Sequence, residues 1–263
     1  MTMLSAQELH YAYSADKPVI ADITFQVVAG EIVSIVGPSG CGKTTLLKIL
    51  AGLLPPIKGS VHFQDQLVRG VPNGLAMVFQ EYGRSLLPWN TVNGNVELPL
   101  RYKDLAHASR ARLVAESLEA VGLASFGQYY PWQLSGGMQQ RVAIARALAY
   151  QPKLLLMDEP FASVDAQTRA DLEDLVAAVR ERYGITIVFI THDIDEAVYL
   201  SDRVVVLSKS PTTVLDVVTT ELPRPRDQIA TKALQQFVDK RSAIAKLIRR
   251  PNADPSQRDL TPQ

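Results

Sequence analysis

What the chain has little of already narrows what it can be. Cys41 is the only cysteine among 263 residues, which rules out an intrachain disulfide and fits a reducing compartment. Neither sign of charge is in surplus, since Lys and Arg number 27 and so do Asp and Glu. That balance argues against nucleic acid as the main partner, because such binders carry a basic excess on one face. Long hydrophobic runs are missing too. Stretches such as Ile185 to Ile190 fall far short of the roughly 20 apolar residues a membrane span needs. Met1 to His10 has no basic start leading into an apolar stretch, as a secretory signal would. The expectation is a soluble protein that acts at a membrane only by docking to something that spans it. Aromatics are sparse at 7%, yet 47% hydrophobic residues against 21% charged is an ordinary globular balance. A chain of this length supports one large domain or two modest ones with a well-buried core.

Short apolar or alternating segments open the chain. Glu8 to Tyr13, Asp22 to Val28 and Glu31 to Val36 predict strands, the last running straight into a glycine-rich turn. A helix is predicted over Lys43 to Leu50, with further strands near Ser60 to Gln64 and Leu75 to Phe79. Between about Thr91 and Tyr150 the pattern changes: Leu113, Val114, Leu118 and Val121 recur at helical spacing, which predicts a helical insertion. From Lys153 onward strands and helices alternate, as Leu154–Met157, Ala166–Tyr183, Ile185–Ile190, Asp193–Leu200 and Val204–Leu207. Such alternation predicts a parallel sheet covered by helices on both faces. Pro223, Arg224, Pro225 and Arg226 punctuate the chain before an amphipathic helix over about Asp227 to Arg249, and the polar tail after Pro251 has a disorder-type composition. The division is therefore a main domain at 1–225, with its helical part at about 91–150, followed by a helix and tail at 226–263.

Gly37-Pro38-Ser39-Gly40-Cys41-Gly42-Lys43-Thr44 fits the pattern G-x-x-x-x-G-K-[ST]. A triphosphate needs backbone N–H groups converging on its oxygens, and only a glycine-rich turn lets the backbone come that close. The helix that follows adds the partial positive charge of its N-terminus. Lys43 supplies a full charge toward the β and γ phosphates, and the Thr44 hydroxyl is a hard oxygen ligand for Mg²⁺. Gly37, Ser39, Gly40, Cys41, Gly42, Lys43, Thr44 and Thr45 are the candidate phosphate-contacting positions. Cys41 has no His close by in sequence and reads as a small loop residue rather than a nucleophile. Downstream, Leu154 to Met157 ends in Asp158-Glu159-Pro160. A buried strand that ends in two carboxylates delivers them at the carboxyl edge of a parallel sheet, where ligands of such folds sit. Asp158 is the candidate Mg²⁺ ligand and Glu159 the candidate general base for an attacking water.

The segment Leu134-Ser135-Gly136-Gly137-Met138-Gln139-Gln140-Arg141 resembles, residue for residue, the signature of ABC-transporter ATPases. Its local physics is that of an anion site: Ser135 predicts an N-cap, and the Gly136 and Gly137 amides open a helix. The resemblance spans roughly residues 5 to 225. It implies a P-loop NTPase (RecA-like) α/β core with a parallel sheet, an N-terminal antiparallel β subdomain, and a helical insertion carrying the signature. It implies ATP and Mg²⁺ as ligands, with Lys43, Gln80, Glu159 and His192 catalytic and Thr44, Gln80 and Asp158 at the metal. Tyr13 is similar to the aromatic that stacks on adenine in this family, with Tyr11 as the alternative. Gln80 is similar to the glutamine that touches Mg²⁺ and the attacking water, and His192 in Ile190-Thr191-His192-Asp193 resembles the histidine that contacts the γ-phosphate. Ser135, Gly136, Gly137, Gln139 and Asp165 belong to the surface that would close over ATP from a second copy. The segment Ala162-Ser163-Val164-Asp165 departs from the Gly-Ala-Leu-Asp usual in importers but keeps the aspartate.

Arg84-Ser85-Leu86-Leu87-Pro88-Trp89 and Pro223 to Asp227 look like the nitrate, sulfonate and taurine importer ATPases. The resemblance then implies a head-to-tail dimer on the cytoplasmic face of the inner membrane, bound to transmembrane permease subunits and served indirectly by a periplasmic solute-binding protein. Leu86, Leu87 and Trp89 are expected as exposed apolar members of the permease-docking surface. Two rival classes fit less well. Soluble ABC ATPases of translation or DNA repair carry paired modules, long coiled coils or basic extensions, none of which is seen here. A nucleotide-binding regulator without turnover would not need both Glu159 and His192.

Overall fold

The computed structural model describes residues 1–14, 16–162 and 164–249, so Ser163 and the tail after Pro251 lie outside the described residues. β1 (Thr2–Ser14) and β2 (Lys17–Val28) form an antiparallel pair. In β2 the buried residues Ile23, Phe25 and Val27 alternate with exposed ones, as a sheet with one wet face requires. β3 (Ile32–Val36) is different, with all five residues buried, and a strand so enclosed belongs in the middle of a parallel sheet. It runs into the glycine turn and α1 (Lys43–Leu50). The chain then returns to the first sheet through β4 (Lys58–Phe63) and β5 (Gln66–Leu67), completing the order β2-β1-β4-β5.

β6 (Leu75–Val78) leads into a helical layer of α2 (Tyr82–Ser85), α3 (Val92–Glu97), α4 (His107–Ala120) and α5 (Gly136–Ala149). Then β7 (Leu154–Asp158), α6 (Ala166–Tyr183), β8 (Thr186–Ile190), α7 (Ile194–Leu200) and β9 (Arg203–Leu207) restore the alternation. The second sheet has the order β10-β9-β3-β8-β7-β6, parallel throughout except at its edge, where β10 (Val214–Thr219) runs antiparallel to β9. The short, half-exposed β10 has no continuous apolar run to announce it.

Helices cover both faces as expected, but on one of them a second layer is added. One face carries α5, α6, α7 and α8 (Gln235–Arg249), with Val142, Leu172, Val176, Tyr199, Phe237 and Ile244 packed on Leu155, Met157, Ile187 and Phe189. The other carries α1 and, around it, the antiparallel sheet, where Leu4, Leu9 and Ile23 share a core with Leu46, Leu47, Val33, Ile35, Leu156 and Val188. The reason is dimensional. An eight-residue helix is about 12 Å long, whereas six strands span roughly 25 Å, so α1 alone leaves apolar surface for a second layer to cover.

Two expectations change. Leu86 is buried in the helical core, while Trp89 is 71% exposed. The side chains around it explain this: Arg146 donates to Ser85 O at 2.6 Å and Ser85 Oγ at 2.7 Å. The buried Asn95 amide clasps Leu87, accepting from its N–H and donating to its carbonyl. The segment is thereby folded inward at Leu86 and outward at Trp89. The last helix starts at Gln235 and not near Asp227. Residues 227–234 are held in turns by Asp227, whose Oδ1 accepts from the Ile229 and Ala230 amides, and by Gln228, which bonds to Ala170, Glu173 and Asp174 of α6. Side-chain bonds of this kind offer the backbone an alternative to helix.

Candidate nucleotide site

The glycine turn sits between β3 and α1 at the carboxyl edge of the parallel sheet. Gly40 has φ +74° and Gly42 φ +100°, conformations that an L side chain resists. A Cβ on Gly42 would also lie 2.6 Å from Val19 Cγ1, so glycine there is a matter of space as well as torsion. Lys43 is buried, and its Nζ donates across the loop to Gly37 O at 2.9 Å and Pro38 O at 3.1 Å. The loop is thus curled around its own cation. Cys41 is buried in the turn and burial pushes its thiol pKa up, which makes it a poor nucleophile and agrees with its reading as a small packing residue.

Tyr13, Val19, Ser39, Gly40, Gly42, Lys43, Thr44, Thr45, Glu159 and His192 line one cleft of about 540 Å³. Residues far apart in sequence, Tyr13, Lys43, Glu159 and His192 among them, thus share one cleft. Tyr13 reaches in from the end of β1, largely exposed, with its hydroxyl 2.9 Å from Thr45 Oγ1 and its ring edge-on to Tyr11. An exposed ring steadied by one hydrogen bond is suited to stack on a base. Of the two tyrosines, Tyr13 is the one at the cleft.

At the end of β7 the two carboxylates part company. Asp158 is buried, and desolvation raises its pKa, opposed by a hydrogen bond from Thr44 Oγ1 at 3.2 Å to its Oδ1. Glu159 turns out of the strand at φ +43°, its amide donating to Ile190 O. That left-handed residue aims its carboxylate at the cleft mouth. There Gln80 Nε2 donates to Glu159 Oε2 at 3.1 Å, and His192 Nδ1 lies 3.3 Å from the same oxygen. Three residues from the ends of three neighbouring strands (β6, β7 and β8) therefore converge on one point. The donor set also fits Mg²⁺. Thr44 and Asp158 place two hard oxygens side by side, and burial of Asp158 makes a cation partner favourable. No group of three His, Cys, Asp or Glu among the described residues forms an all-protein cage. The fit is to an ion that keeps most of its ligands from water and phosphate.

The second glycine motif lies elsewhere. Ser135 is the N-cap of α5, its Oγ accepting from the Met138 amide at 3.3 Å. Gly137 is held tight: a Cβ there would come within 2.4 Å of Thr168 Cγ2. Gln139 bonds back to Pro131 O and Leu134 O. Asp165 caps α6 by accepting from Thr168 N at 3.0 Å and Thr168 Oγ1 at 2.7 Å, which lowers its pKa. Ser135, Gly136, Gly137, Gln139 and Asp165 do not line the cleft around Lys43. Sequence reasoning missed Arg169 and Glu196, which reach the Thr191 and Asp193 flanks of His192; their spacing carries no motif of its own.

The family model described as ABC transporter matches residues 20–162. An aliphatic sulfonates import ATP-binding protein of Xanthomonas axonopodis pv. citri is 46% identical over 87% of this chain and 91% of that protein. A nitrate import ATP-binding protein of Synechococcus elongatus is 40% identical over 86% of this chain and 34% of its own, longer length. Among solved structures, an ATP-binding cassette seen as a post-hydrolysis dimer with ADP and Pi superposes with a TM-score of 0.72 at 32% identity, covering 82% of this chain and 98% of that one. With a cleft lined by Ser39, Gly40, Lys43, Thr44, Glu159 and His192 and relatives of this kind, the chain belongs to the ABC transporter ATP-binding family, whose members bind and hydrolyse ATP.

Proposed function

We propose that the chain is the motor subunit of an importer in the bacterial inner membrane, bound peripherally at its cytoplasmic face, and that the imported solute is a small organic or inorganic anion such as a sulfonate, taurine or nitrate. Two relatives named for sulfonate and nitrate import support the solute class. No helix among the described residues is long and apolar enough to cross a membrane, so contact with the bilayer runs through permease subunits. The exposed Trp89 and half-buried Leu87 belong to the face that meets them, and a periplasmic solute-binding protein delivers the cargo on the far side.

In the working site Tyr13 stacks on the adenine while the turn amides and Lys43 hold the phosphates. Mg²⁺, held by Thr44, Asp158 and Gln80, would offset the charge of the β and γ phosphates. Glu159 takes the proton of the attacking water, and Gln80 and His192, both within 3.3 Å of its carboxylate, orient that water and the γ-phosphate.

The observation that carries this reading is the separation of the two glycine motifs. One lines the Lys43 cleft, whereas the other opens α5 outside it. A symmetric head-to-tail pair uses each motif twice, closing the signature of one copy on the nucleotide of the other. The solved cassette dimer with ADP and Pi is of a related chain.

A mixing experiment tests it. Lys43→Ala damages the cradle and Ser135→Arg fills the signature, so each homodimer has two defective sites. A mixed dimer has one doubly damaged site and one intact site. Random mixing in equal amounts makes half the dimers mixed, so about a quarter of the wild-type sites should return. With subunit exchange verified separately, activity no greater than the sum of the two mutants rejects the shared site.

A further inference from the structure

His192 has a 59% exposed side chain and faces Glu159 across 3.3 Å, so the aim of its ring depends on the main chain that carries it. That main chain is tied on both sides. The buried Thr191 hydroxyl accepts from the Asp193 amide at 3.0 Å and donates to Glu196 Oε2 at 2.5 Å. The two residues flanking His192 are therefore bound to each other and to the first turn of α7. Asp193 in turn caps α7, its Oδ1 accepting from the Asp195 and Glu196 amides at 2.8 and 3.3 Å.

A cation from another element reaches into this knot. Arg169, in the first turn of α6, places Nη1 3.5 Å from Asp193 Oδ2 and Nε 3.6 Å from Glu196 Oε1. The Glu196 side chain is only 6% exposed and that of Arg169 34%, so the attraction is screened much less than at an open surface. Without the guanidinium, the Asp193 carboxylate keeps only the amide bonds of its cap and that of Glu196 only its bond from Thr191, so the loop of His192 is held by fewer ties. Arg169 begins the helix that Asp165 caps, so the same side chain couples the start of α6 to the loop of His192.

We infer that Arg169 is a positioning residue for His192, acting through Asp193 and Glu196; the inference rests on the catalytic role given to His192 above. Arg169 lines no part of the nucleotide cleft, so its loss should act on turnover and not on ATP binding. Its guanidinium lies within 3.6 Å of both carboxylates without a hydrogen bond from Nε, so the coupling is one of charge, which a lysine ammonium largely keeps. On the other flank of α7, Arg241 of α8 meets Asp195 at 3.6 Å with both side chains nearly half exposed. Pairs of that kind contribute little, and Arg241→Ala is the built-in control.

The experiment uses the purified chain with ATP and Mg²⁺. Arg169→Ala should lower kcat about tenfold, since misplacing a catalytic group by a fraction of an ångström costs about that much. KM should stay within about twofold, Arg169→Lys should recover most of the loss, and Arg241→Ala should be near wild type. In single-turnover assays on a His192→Ala background, Arg169→Ala should add almost nothing. NMR of the imidazoles gives the direct readout. The His192 resonance, assigned by its disappearance in His192→Ala, should shift in Arg169→Ala while those of His10, His62 and His107 stay. Should the alanine variant fail to fold, Arg169→Gln carries the same test. An unmoved His192 resonance, or an equal loss with and without His192, overturns the positioning role. Wild-type hydrolysis by His192→Ala overturns instead the role given to His192 itself, so the two failures are distinguishable.

Discussion

Replacing Glu159 by Gln isolates the proton-accepting function of the site better than any other single change. The substitution keeps the volume of the side chain and retains one oxygen that can still accept from Gln80, which now lies 3.1 Å from Glu159 Oε2. What is lost is the carboxylate charge and with it the basicity of the oxygen that His192 and Gln80 share. The side chain is about one-fifth exposed, and neither the Lys43 bonds nor the Asp158–Thr44 contact passes through it. Stability and ATP affinity should therefore barely change, with the melting temperature within about 2 °C, as for a surface-type substitution. Turnover should fall by about 10²- to 10⁴-fold, the range a positioned general base contributes. The losses should fall in kcat and leave the dissociation constant of ATP alone, the signature of an interaction used in the transition state. Phosphate release measured at saturating ATP, beside equilibrium nucleotide titration, reads both quantities. A variant that hydrolyses within threefold of wild type refutes the general-base assignment. A variant that has lost ATP binding refutes the separation of cradle from base.

Two more outcomes follow from the burial of particular side chains. Leu86→Ala should cost about 2–5 kcal/mol in chemical denaturation by opening a cavity in the helical core, whereas Trp89→Glu should leave stability within about 0.5 kcal/mol yet weaken co-purification with a permease; the reverse order would contradict the inward turn at Leu86. Glu196 has its pKa raised to about 7, chiefly by burial, against 4.5 for the free group. The folded state thus holds its proton more tightly than the unfolded chain, so this contribution is complete at acid pH and is lost as pH rises from about 4.5 through 7. It is worth on the order of 3 kcal/mol, and Glu196→Gln should gain on wild type by about that much between those pH values in urea titrations. A flat difference would show that Glu196 ionises normally.

The elements whose pattern is local were readable in advance. α1 and α6 run over the same residues that the sequence predicts, because each is marked by its own signals: the left-handed Gly42 before one, the Asp165 cap and the left-handed Gly184 at the ends of the other. The phosphate turn, the acidic strand end and the Ser135 cap were equally legible, since each needs a fixed residue type at a fixed step. What was not legible depends on partners distant in sequence. Leu86 turns inward because Arg146, 61 residues on from Ser85, and Asn95 hold the segment. β10 exists because β9 needs an edge partner, and 227–234 is not helix because α6 offers its side chains other bonds. Arg169 meets Asp193 and Glu196 only once two helices have packed. Patterns with a period reveal themselves in one dimension, whereas single polar contacts across the fold do not.

The placement of α1 between two sheets has a mechanical consequence. Leu46 and Leu47 press on the antiparallel layer and on the parallel sheet within one core, so the phosphate turn is anchored to a stack of layers packed at crystal-like density, which has little compliance. Force applied at the γ-phosphate is not dissipated where it is received. It passes through a stiff body to the stretch after β6 that carries Gln80 and Trp89, one short helical turn and loops tied to the helical layer at Ser85 and Leu87. In engineering terms the molecule is a rigid anvil with a clamped arm, and the arm bears the exposed tryptophan.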